Sequence, residues 1–149
     1  MLSLQKAQAL AAVAELRRRN ALSERYGLSL TENQMLSLVR AQGEALRATG
    51  RVAPGGGVLP KLVNAFCDSP FIAREDYCQT LAALQDLFYT FKNELADALS
   101  DDELIQAMER LYNGRAQGSL EYLENATNGD LYHAWRDDDG NGEEPYGDD

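Results

Sequence analysis

Two matched helix-entry signatures constrain this chain more than any other feature: Leu30-Thr31-Glu32-Asn33-Gln34-Met35 and Leu99-Ser100-Asp101-Asp102-Glu103-Leu104. Each sets Thr or Ser as an N-cap with Gln or Glu three residues on. The hydroxyl then accepts from the backbone N–H three residues later, while the Gln or Glu reaches back to the cap's own N–H. Leu30 with Met35, and Leu99 with Leu104, are spaced as hydrophobic staples across the two starts. Such signatures commit a chain to helices packed on helices and carry no chemistry of their own.

The apolar spacing fills in the rest. It predicts a helix over 3–26, with Leu4, Leu10, Val13, Leu16 and Leu22 inward, Gly27 as its stop and Asn20 as a point of fraying or bending. A second helix spans 32–48, with Met35, Leu38, Val39, Ala45 and Leu46 inward and Gly50 after it. A connector leads to a short helix over 58–67 that buries Leu59, Leu62, Val63 and Phe66 and stops at Ser69-Pro70. The helix over 73–98 is expected to be the longest, with Tyr77, Leu81, Leu84, Phe88, Phe91 and Leu95 on one face. Another covers 101–113, burying Leu104, Ile105, Met108, Leu111 and Tyr112. A sixth starts after Gly118 on Ser119, with Leu120 and Leu123 inward. Asn128-Gly129 is read as its break, leaving a terminal piece with Leu131, His133 and Trp135. The expected fold is all-α: a single compact bundle of five to seven helices with a long central helix, over residues 1–136. Residues 137–149, with seven acids and no base, are expected to stay disordered because they offer too little apolar area to bury.

With 149 residues, 44% of them apolar, one domain can bury roughly two-thirds of its unfolded surface without a metal or disulfide. Cys67 and Cys78 form no CxxC pair and read as reduced thiols. The N-terminus lacks the charged start and continuous apolar stretch of a signal peptide, and no apolar run approaches a membrane span. Cytoplasmic localisation is the expectation, with no membrane partner. The net charge of −10 is uneven: residues 1–51 hold eight Lys/Arg against four acids, residues 52–149 six against twenty. That balance opposes binding to a nucleic-acid backbone. The Arg17-Arg18-Arg19 run reads as a solvated face or as salt-bridge partners for nearby acids.

Three segments carry a resemblance: Thr49-Gly50-Arg51 with Gly55-Gly56-Gly57, Phe66-Cys67-Asp68-Ser69-Pro70, and Gly118-Ser119-Leu120-Glu121-Tyr122-Leu123, with the Ser100 cap between the last two. In this order the chain resembles a family of short bacterial proteins classed only as a domain of unknown function. The resemblance spans roughly residues 20–125 and leaves the acidic tail outside. It implies a bacterial cytosolic setting and brings no activity, cofactor or catalytic residue.

Few residues invite chemistry. Gly55, Gly56 and Gly57 lead into a helix start, with Arg51 and Lys61 near in sequence, a pattern suited to phosphate or carboxylate or to a plain flexible turn. It does not match a P-loop. Cys67, at a helix C-terminus beside Asp68, is poorly placed to be a thiolate nucleophile. His133, the lone histidine, reads as a partly exposed structural residue. In the tail, Asp137, Asp139, Asn141, Glu143 and Asp148 fall at ligand positions of a calcium loop. Glu144, Pro145 and the short Asp148 weaken that match. No catalytic residue and no cofactor is expected. The leading expectation is a non-enzymatic protein–protein interaction or regulatory module with a protein partner. Homo-oligomers could form through Arg17, Arg18 and Arg19. The alternatives are an anionic-ligand protein using the glycine loop and weak calcium binding by the tail.

Overall fold

Reciprocal side-chain caps begin three of the helices, one more than the sequence pattern suggested. The computed structural model describes residues 4–50 and 58–136. Among them are seven α-helices and no strand: α1 Leu4–Ser23, α2 Glu32–Thr49, α3 Leu59–Phe66, α4 Tyr77–Glu94, α5 Asp101–Asn113, α6 Leu120–Glu124 and α7 Asn128–Arg136. At α2, Thr31 Oγ1 accepts from Gln34 N (3.1 Å) and Gln34 Oε1 from Thr31 N (2.9 Å). At α5, Ser100 and Glu103 exchange the same pair at 3.2 and 2.9 Å. The staple residues Leu30, Met35, Leu99 and Leu104 are all buried.

The third cap lies at α7, where Thr127 Oγ1 accepts from Asp130 N (3.0 Å) and Asp130 Oδ2 from Thr127 N (2.9 Å). Asn128-Gly129, read from sequence as the break in a helix, instead opens α7. Gly129 sits in the first turn, where the caps already hold the backbone, so its weak helix propensity matters little. The sixth helix ends earlier, at Asn125, whose side-chain amide donates to Glu121 O (2.9 Å).

The helix predicted over 73–98 is also shorter. A 3₁₀ turn at Arg74–Asp76 precedes α4, and the helix stops at Glu94. Ala96 (φ 52°) and Asp97 (φ 64°) then turn left-handed, at a cost of about 1 kcal/mol each. What holds this turn is Lys92, whose ammonium donates to Leu99 O (2.7 Å) and meets Asp101 (2.8 Å). The turn lets Leu99, 1% exposed, enter the core, which a continuing helix would not allow. At 20 residues α1, not α4 at 18, is the longest helix.

Even so, α4 is central. It packs against α2, α3, α5 and α6 and buries two sides: Tyr77, Leu81, Leu84, Phe88 and Phe91, with Thr80, Gln85, Tyr89 and Lys92. The seven helices form a single all-α bundle. On α1 the stripe is Ala9, Ala12, Val13 and Leu16, so Leu10, expected inward, points out at 53% exposure. Leu10 follows Ala9 by one residue, about 100° around the helix from that stripe. Asn20 does not bend α1. Its side-chain amide pairs like a peptide group with Leu30, accepting from N (2.9 Å) and donating to O (3.3 Å), and so fixes the α1–α2 turn. Gly27, left-handed at φ 81°, ends the 3₁₀ turn after α1.

Candidate interaction surface

One end of the bundle gathers two of the segments that the sequence set apart. The loop leaving α3 folds across the C-terminal end of α5. The buried Ser69 hydroxyl donates to Asn113 Oδ1 (2.6 Å) and accepts from Phe71 N (3.3 Å). Phe66 meets Tyr112 edge to face, with ring centroids 5.5 Å apart. Phe71 then lies directly on Gly118. A Cβ added at Gly118 would stand 2.5 Å from the Phe71 Cβ, and Gly118 is left-handed at φ 84°. Only glycine meets both demands. Gly118 N is tied to Tyr112 O (2.8 Å), and Ser119 caps α6, so this end is hydrogen-bonded throughout.

Although so fixed, this end presents aromatic surface. Phe71 is 41% exposed and Tyr122, four residues after Gly118 on α6, is 46% exposed. Carboxylates sit close by. Glu109 is one turn before Asn113 on the face of α5 that receives the loop, and Asp68 adjoins Ser69. Burial, reinforced by the Asp68 charge, raises the Glu109 carboxyl above the usual range. Arg110, next in sequence, donates to Ala134 O (3.1 Å) and Trp135 O (2.7 Å), closing the end of α7. Among the described residues, no ion pair reaches Asp68 or Glu109.

The sequence-derived candidates lie elsewhere. Arg51, Gly55, Gly56 and Gly57 are outside the described residues, as are Asp137, Asp139, Asn141, Glu143 and Asp148. Lys61 pairs with Asp102 of α5 at 2.6 Å. At the start of α3, the Val58 and Leu59 amides donate to the buried Gln42 Oε1 (3.1 and 3.4 Å), and Pro60 has no N–H to offer. Gln42, on α2, therefore caps a helix sixteen residues further along, which no local motif announces. Cys67 is buried, and burial together with Asp68 pushes its thiol up, away from thiolate character. Both cysteines are free. Burial also pushes the Tyr77 phenol up to about 12. His133 is exposed, while Tyr132 and Trp135 dock α7 on the core.

Sequence reading missed Phe71, Tyr122 and Glu109 as surface features. Each carries an ordinary residue type at an ordinary spacing, and only the meeting of two loops makes them neighbours of one end. The Arg17–Arg19 run, by contrast, is answered within the chain. Arg17 reaches Glu32 (2.6 Å), and Arg18 and Arg19 share Glu15, the latter at 2.9 Å.

Fold and surface together define an all-α helical bundle with an aromatic, acid-flanked end. The chain belongs to the family of unknown function DUF6323, whose model matches residues 15–140. No curated protein and no solved structure matches the chain.

Proposed function

We propose that this protein is a non-enzymatic interaction module of the bacterial cytoplasm, offering a preformed helical surface to another protein. The observation that carries the reading is the pair of exposed aromatic rings, Phe71 and Tyr122, on an end held rigid by the Ser69–Asn113 hydrogen bond and the Gly118 contact. Rigid aromatic side chains at a surface cost little entropy on binding and are the usual anchors of interfaces. The net charge of −10 favours a protein partner over a nucleic acid. Two free cysteines support a reducing compartment. The internal pairing of Arg17, Arg18 and Arg19 turns the reading toward a different protein rather than a second copy.

The test is affinity purification from native cells with the full-length chain and a version truncated after Arg136, followed by mass spectrometry. A stoichiometric partner supports the reading, and its loss on truncation moves the contact to the tail. No partner with either form sinks it.

A further inference from the structure

We infer that the end bearing Phe71 and Tyr122 docks a cationic amphipathic segment of a partner protein, with Lys or Arg groups meeting Asp68 and Glu109 and apolar groups meeting the two rings. This rests on the reading of the chain as an interaction module and names the chemistry of its partner.

Charge complementarity selects the occupant. Asp68 and Glu109 are held near one another by the Ser69–Asn113 clasp, and no ion pair within the described chain offsets them. The Arg110 guanidinium is directed to the carbonyls that end α7. Two adjacent carboxylates repel each other, and an incoming cation relieves that repulsion. Glu121, exposed beside Tyr122, extends the same sign of charge along α6. The rings add a second attraction for the same groups, since a guanidinium or ammonium over Tyr or Phe is favoured by the ring quadrupole. An acidic segment would meet only repulsion here, and a neutral apolar one would leave the carboxylates unanswered. The chain's own arginine run is a poor occupant, because a second copy would have to break the pairs with Glu15 and Glu32 first.

Synthetic peptides of equal length and apolar content, graded in net charge from acidic to basic, test the inference against the full chain, read by backbone amide NMR shifts. Basic members are expected to bind and to shift amides at residues 67–73 and 109–122. Asp68→Asn with Glu109→Gln is expected to weaken them about fivefold, the upper range for exposed charge pairs. Tyr122→Ser should weaken binding while leaving thermal melting unchanged, since Tyr122 is exposed. Equal binding across the charge series, shifts centred on α1 and α2, or indifference to both variants overturns the inference. A native partner that cross-links elsewhere on the chain overturns this surface and leaves the interaction module standing. Failure to recover any native partner overturns the module itself.

Discussion

The α1–α2 pair and the end formed by the α3–α4 and α5–α6 loops treat charge in opposite ways. On the first, every arginine of the 17–19 run finds a carboxylate of the same chain, and those carboxylates titrate lower for it. Hydrogen bonding to Arg18 lowers Glu15, and hydrogen bonding to Arg17 lowers Glu32. On the second, Glu109 is raised by burial and by Asp68, with two aromatic rings exposed nearby. The charge run that stands out in the sequence is electrically complete, whereas the unremarked carboxylates are not. Sequence conspicuousness is therefore a poor guide to where a surface awaits a partner, because the completing charge comes from another element.

The comparison can be broken hardest at Gly118. Gly118→Ala combines a strained left-handed φ with overlap against Phe71 and is expected to destabilise by roughly 2–3 kcal/mol in urea melts, loosening the acid-flanked end while α1–α2 stays protected in hydrogen exchange. Removing the clasp is milder. Ser69→Ala loses the bond to Asn113 and should cost about 1 kcal/mol, with faster amide exchange at Phe71 as its local sign.

Glu109→Gln sharpens the electrostatic half. The folded carboxyl titrates above its unfolded value, so the stability that comes with its protonation is full below the unfolded pKa and is lost as pH rises through the folded one. The Gln variant should therefore be more stable than the parent at neutral pH, by less than about 1 kcal/mol, with the advantage gone near pH ~3.5. An advantage that persists at acid pH would place the gain in packing instead. The smallest effect belongs to the paired side. Replacing Arg17, Arg18 and Arg19 by Ser should leave the oligomeric mass at low salt unchanged, as read by light scattering. A change in mass would show that these pairs open to another molecule.

Much of the fold was legible in local sequence. The boxes at Thr31 and Ser100 carry their partners three residues away, so α2 and α5 begin where the pattern sets them. The buried face of α5 follows directly from its spacing. Misreadings arose where a distant group decided a local matter. Lys92 ends α4 early by holding Leu99 O, and Asn20 clasps Leu30 ten residues away. Thr127 was different, since its box with Asp130 was present in the sequence but hidden behind the turn-like Asn128-Gly129. Of the candidate sites, Lys61 was legible as a cation but not as the partner of Asp102, forty-one residues away.

By itself the sequence determined what is short-range: helical periodicity, caps and the sign of charge in each half, because each depends on residues within a turn or two. Tertiary structure alone decided which charges are answered and which aromatics stay exposed. Phe71 and Tyr122 come to share one end only because Ser69 reaches Asn113 and Gly118 yields space to Phe71, contacts that depend on how the bundle packs and not on any spacing along the chain.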